Sequence, residues 1–261
     1  MTATSPLVDV HWLAEHLNDP DLVLFCASAG RPDKSLETAI PGARLADIDQ
    51  EFSDPAAELP HTAPENVQKI FESHGVSDDS VVVVYDRHGI MYSPRIWWLA
   101  LAAGLQNVVV LDGGLSAWQD AGFATEPIQQ RNVPPGRITA QPREVFARPD
   151  DDRLVVDARS AGRFAGSEPE PRGGMRAGHI PGSVNVPFQD LLGADKKFKD
   201  PAELERLLPA PQPLLFSCGS GITACIDALA ATVVGHTDIK VYDGSWSEWG
   251  ALNSGKPIES A

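Results

Sequence analysis

Two long stretches of this sequence repeat each other, and that repetition constrains the fold more than any single motif. Val81 to Gly122 matches Leu214 to Asn253 segment by segment at an offset of 131 to 132 residues. The run VVVVYD (Val81 to Asp86) corresponds to LLFSC (Leu214 to Cys218), and PRIWWLALAAG corresponds to a helical pattern that starts near Thr223. VVVLDGG (Val108 to Gly114) corresponds to KVYDGS (Lys240 to Ser245), with Trp118 matching Trp249 after it. Upstream, Leu22 to Phe25 matches Leu154 to Val156, and Ile40-Pro41-Gly42-Ala43 matches Ile180-Pro181-Gly182-Ser183. In both copies short apolar runs alternate with helical patterns, which predicts an α/β fold with a mostly parallel sheet flanked by helices. Residues 1–128 form one predicted domain and 143–261 the other, each long enough to bury a core. The polar, proline-rich stretch 129–142 (QQRNVPPGRITAQP) reads as a linker.

The copies differ where chemistry is easiest to place. Asp86 in the first occupies the position of Cys218 in the second. Cys218-Gly219-Ser220-Gly221-Ile222-Thr223-Ala224 follows an apolar run and leads into good helix formers, so the thiol sits on a strand-turn-helix loop. Backbone N–H groups of such a turn and the positive end of the helix dipole favour a thiolate over a thiol. The same context also fits a buried, inert cysteine. An acidic side chain at position 86 has no thiol chemistry, which leaves the first copy a structural partner.

Charge and cysteine content narrow the partners. A net charge of −15 argues against nucleic acid and anionic membranes, and an anionic substrate then needs a local basic pocket. Cys26, Cys218 and Cys225 are an odd set without metal-ligand spacing, so neither a disulfide framework nor a zinc site is expected. The first residues lack a basic stretch followed by an apolar one, and no run approaches about 18 apolar residues. A cytoplasmic protein is expected.

Taken with the duplication, three segments resemble the tandem-domain rhodanese family: CGSGITA at Cys218, HIPGSVNVP at His179 to Pro187, and YDGSWSEW at Tyr242 to Trp249. Within it the likeness is greatest to the 3-mercaptopyruvate sulfurtransferases. The resemblance implies an enzyme that moves sulfur from 3-mercaptopyruvate to a thiol or cyanide through a Cys218 persulfide, releasing pyruvate. It implies no metal or organic cofactor, and an acceptor thiol such as that of a thioredoxin-like protein. Arg163 and Arg172 match the arginines that hold the donor carboxylate, a task suited to a planar guanidinium. Ser220, His61 and Asp49 match a Ser-His-Asp arrangement proposed to assist catalysis, with His61 and Asp49 falling in the first copy. Gly219, Gly221, Ile222 and Thr223 surround the sulfur through their backbone, and the Thr223 hydroxyl is expected to cap the following helix. Thr62 and Ala63 depart from the family's usual apolar residues after the histidine.

Three other readings compete. Thiosulfate-using relatives carry cationic residues in the loop after the cysteine, and 219–223 carry none, which disfavours that dianion. A cysteine phosphatase needs an arginine six residues after its nucleophile, and position 224 is alanine. A non-catalytic rhodanese-like binding or redox module is opposed by the intact cysteine and arginines.

Overall fold

The structure, a computed structural model, describes residues 5–30, 36–129, 132–149 and 152–260. They group into two compact units. The first comprises Met1–Pro55, Ala63–Glu144 and Ala194–Phe198; the second comprises Ala56–Thr62, Val145–Gly193 and Lys199–Ala261. His61 therefore packs with the second unit, although its place in the sequence is in the first half.

In the first unit β1 (Leu7–Val8), β2 (Leu22–Ser28), β3 (Arg44–Asp47), β4 (Val81–Asp86) and β5 (Val108–Leu111) form one parallel sheet in the order β1-β5-β4-β2-β3. Helices α1 (Val10–His16), α2 (Val67–Ser73), α3 (Ser93–Ala102) and α4 (Gly114–Asp120) accompany it. The four valines that open β4 are β-branched, suit a pleated surface, and are almost wholly buried because parallel strands are covered on both faces. Asp9 caps α1, its carboxylate accepting from the Trp12 amide at 2.8 Å.

The second unit repeats this plan with β6 (Leu154–Asp157), β7 (Val184–Asn185), β8 (Leu214–Ser217) and β9 (Ile239–Val241), parallel and ordered β7-β6-β8-β9. Its helices are α5 (Ala161–Ala165), α6 (Pro201–Leu207), α7 (Ala224–Val233) and α8 (Ser245–Trp249). The backbone at Phe146 bridges to Val241 in parallel. Val241 donates to Val145 O, and Ala147 donates back to Val241 O, each at 3.1 Å. Position 146 thus stands to β9 as β1 stands to β5, and the repeat read in the sequence is a repeat of topology.

That topology decides where chemistry can lie. Loops leave the carboxyl ends of parallel strands on one edge of the sheet, where open α/β folds bind ligands. Cys218 follows β8, an interior strand between β6 and β9, and Asp86 ends β4, interior in the other sheet. In the described part of the proline-rich stretch, 132–142 has neither helix nor strand. It is fixed along the first unit by Gly136 N donating to Glu72 O (2.8 Å) and Ile138 N to Glu72 Oε1 (2.9 Å). Among the described residues no helix is long and apolar enough to cross a membrane.

Candidate active site

Cys218 is 1% exposed, and main-chain bonds to the start of α8 hold its loop in place. The Cys218 amide donates to Ser245 Oγ at 3.1 Å, and Trp246 N donates to Cys218 O at 3.0 Å. Gly219 O accepts from Ser247 N at 2.9 Å and from Ser247 Oγ at 2.7 Å. Gly221 has φ of 78°, the left-handed region open to glycine, which lets the loop reverse before α7. Ser245 takes φ of 47° while fully buried, a conformation uncommon for a side-chain-bearing residue and found where a site over-determines the backbone. Its hydroxyl donates to Tyr242 O at 2.7 Å and lies 4.0 Å from Cys218 Sγ. Neither Ser245 nor Ser247 is marked by the sequence beyond the turn-like DGSW.

Three arginines and two carboxylates lie beside this loop. Arg159, 1% exposed, is bonded on all sides: Nε and Nη2 to Asp157, Nη1 to Glu170 at 2.8 Å, Nη2 also to Gly178 O at 2.9 Å. Its guanidinium carbon stands 4.3 Å from the Trp246 ring centre. Arg163 donates to the same Glu170 through Nε at 3.2 Å and Nη2 at 2.6 Å. That Nη2 also lies 3.1 Å from where a Cβ at Gly219 would stand, so the glycine lets the guanidinium close over the loop. Arg172 is exposed and donates to Ser247 Oγ at 3.3 Å, the hydroxyl that anchors Gly219. Both arginines singled out in the sequence thus adjoin the cysteine loop. Arg159 was not singled out, because its partners are dispersed in sequence at 157, 170 and 178.

His61 and Ser220 are joined, Nδ1 to Oγ at 3.0 Å. His61 has φ of 59°, a second strained backbone at the loop. Asp49 lies in the first unit, where its carboxylate accepts from Gly30 N at 2.6 Å and its own amide donates to Asp47 Oδ1 at 3.0 Å. Thr223 does hold the N-cap position of α7, but its hydroxyl makes no capping bond. Its helical φ/ψ of −72°/−19°, in place of the extended backbone typical of a cap, accounts for the difference. Cys225 is fully buried, its thiol 3.3 Å from Gly221 O. His179 stacks on Phe164 at 3.8 Å and bonds its carbonyl at 2.8 Å, as a residue that pins a turn would. Among the described residues no group of three His, Cys, Asp or Glu could hold a metal.

In the first unit the loop after β4 is closed by its own anion. Asp86, fully buried, accepts from His88 N at 2.7 Å through Oδ1. Its Oδ2 accepts from Met91 N (2.9 Å), Tyr92 N (2.8 Å), Ser93 N (2.9 Å) and Ser93 Oγ (2.9 Å). Loop amides and the first amides of the helix N-terminus are thus gathered on one carboxylate.

Asp227 behaves differently. It sits in the first turn of α7 with no exposed surface, and neither carboxylate oxygen has a hydrogen-bond partner. Burial first, then the proximity of Cys218 and Asp157, raises its pKa well above the ordinary 3.8. The folded chain therefore holds a proton that the unfolded chain releases above about pH 4. This group favours folding fully below 3.8, and that contribution is lost as pH rises toward the raised folded value. Asp227→Asn, which carries no titrating proton, is expected to flatten the fall in stability as pH rises above about 4. Urea denaturation at several pH values measures this; parallel pH curves for the two proteins would show that Asp227 finds a partner in solution.

Comparisons with known proteins agree with the duplication. The Rhodanese-like domain family model matches residues 9–121 and again 141–252. The chain is 38% identical to the 3-mercaptopyruvate sulfurtransferase of Rattus norvegicus, covering 93% of this chain and 91% of that one. It is 35% identical to the thiosulfate sulfurtransferase of the same organism over the same shares. The solved structure of SseA from Escherichia coli, described as a 3-mercaptopyruvate sulfotransferase, superposes with a TM-score of 0.80 and 31% identity. That match spans 94% of this chain and all of the other.

Proposed function

The chain belongs to the rhodanese family and is a sulfurtransferase; from that premise we propose that it takes sulfur from 3-mercaptopyruvate and passes it to a thiol or to cyanide. The observation that carries this reading is the uncharged loop 219–223 lying under Arg163, with Arg172 bonded to the serine that anchors it. Cationic character stands beside the loop, where a single carboxylate would lie, and not within it, where a dianion would need it. Arg163 and Arg172 hold the donor carboxylate. The Cys218 thiolate attacks the donor sulfur; the carbon–sulfur bond breaks, its electron pair goes to the enolate of pyruvate, and a proton completes the product. Ser220, bonded to His61, polarises the donor ketone as the enolate forms. Backbone amides of Gly219, Gly221, Ile222 and Thr223 stabilise the persulfide anion. An acceptor thiolate or cyanide then attacks the outer sulfur and returns Cys218 as thiolate.

Steady-state transfer to cyanide tests the donor. The kcat/KM for 3-mercaptopyruvate is expected to exceed that for thiosulfate by about tenfold or more, and Arg172→Ala to lower it by about 10²-fold, chiefly through KM. Alkylation of Cys218 by neutral iodoacetamide should change less than about twofold in that variant, because Ser247 keeps its own amide and hydroxyl bonds to Gly219 O without the arginine. Equal losses in both assays would make Arg172 structural. Faster thiosulfate turnover would overturn the donor assignment, and no turnover with either donor would overturn the reading.

A further inference from the structure

The arginines beside the cysteine loop are partly spent before any donor arrives. Glu170, its side chain 6% exposed, takes two of the N–H groups of Arg163 and one of Arg159. Asp157 and Gly178 O take Nε and Nη2 of Arg159, whose side chain is wholly buried, so that it is excluded from binding a donor and left to hold Glu170 in place. Among the three arginines and the two acids bonded to them, Asp157 and Glu170, the guanidinium charges exceed the carboxylates by one. Glu170 is also bonded directly to Arg163, the arginine that closes over Gly219. Arg176 does not alter this count, since its guanidinium is turned to the carbonyls of Trp249 and Lys256 and to Ser254 Oγ.

We propose that Glu170 is a specificity residue: by cancelling one guanidinium charge beside the Cys218 loop it sets the site to accept singly charged donors and reject doubly charged ones. This rests on the reading of the arginines as the donor clamp. The physical basis is differential. A fixed negative charge repels a dianion twice as strongly as a monoanion at the same distance, and in a half-buried site water screens that repulsion incompletely. Glu170 therefore weakens every anionic donor, and thiosulfate more than 3-mercaptopyruvate.

Glu170→Gln removes the charge and keeps the size and one acceptor oxygen for the arginines. The ratio of kcat/KM for thiosulfate to that for 3-mercaptopyruvate is expected to rise about tenfold, mainly through KM for thiosulfate. Glu170→Asp, which keeps the charge, is expected to hold the wild-type ratio even where its absolute rates fall. A purely structural Glu170 would lower both donors together in the Gln variant, and an unchanged ratio overturns the proposal. A second readout needs no sulfur donor: the rate of Cys218 alkylation by anionic iodoacetate, divided by that with neutral iodoacetamide, should rise several-fold in Glu170→Gln. If the wild-type protein turned over neither donor, the sulfur-transfer reading would fail on its own, while the alkylation ratio would still decide whether Glu170 governs anion access. An alkylation ratio that does not move overturns the proposal in that case as well.

Discussion

Cys218→Ser is expected to lower sulfur transfer by at least about 10³-fold while leaving the loop as it is. The loop does not depend on the thiol. Its bonds run through the amide and carbonyl of Cys218 to Ser245 and Trp246, and through Gly219 O to Ser247, whereas the sulfur's hydrogen-bonding contact among the described residues is the 4.0 Å approach to Ser245 Oγ. A serine hydroxyl fits the same space, but oxygen is a poor nucleophile toward sulfur and carries no stable persulfide. Two measurements belong together here: kcat/KM with cyanide as acceptor, and the sulfur released by cyanide after the protein has met donor alone. The wild-type protein should yield stoichiometric sulfur and the variant none. Residual turnover above a few per cent would mean that Cys218 is not the carrier. The other thiols, Cys26 and Cys225, are buried as Cys218 is, so replacing each in turn would then identify the carrier.

The same loop shows what can be read from a sequence and what cannot. Its position was legible because LLFS is a buried run, two glycines follow, and ACIDALAATV is built from helix formers, all of which are local signals. The repeat extended that legibility to the topology: once β4 and β8 are matched, the order of their neighbours follows. The two-residue strands Leu7–Val8 and Val184–Asn185 were not legible, since nothing in two residues encodes a strand and only pairing with Val110, Leu111, Val156 and Asp157 defines them. His61 was legible as a candidate only by resemblance. That it packs with the second unit and reaches Ser220 depends on a left-handed backbone that a Pro-rich loop does not announce. Arg159 escaped for a related reason, because a network closed by groups 2 to 19 residues away is decided by packing. Asp227 is the opposite case: a lone acid in an apolar helix pattern reads as an exposed position, and tertiary packing places it inside.

Asp86→Ala is expected to destabilise the first unit by about 3–5 kcal/mol, the second large effect anticipated for this protein. One carboxylate satisfies the amides of His88, Met91, Tyr92 and Ser93 and the Ser93 hydroxyl, and no part of it is exposed. Removing it leaves the amide and hydroxyl of Ser93 buried without this acceptor and the half-buried amides of Met91 and Tyr92 facing them, and each buried donor costs about 1–3 kcal/mol if no water replaces the oxygen. Asp86→Asn is expected to lose less, because the amide oxygen still accepts from some of these donors while the charge that suits the helix terminus is gone. Urea denaturation followed by tryptophan fluorescence reports on this, since Trp12, Trp97, Trp98 and Trp118 all lie in the first unit. With two units present, the transition to compare is the one these residues report, not a single overall free energy. A shift below about 1 kcal/mol would mean that water fills the position, and the carboxylate would then be a replaceable occupant. A shift of the expected size would mean that the first copy holds a stabilising acid at the position where the second holds Cys218, so that one loop position serves the fold in one unit and carries a thiol in the other.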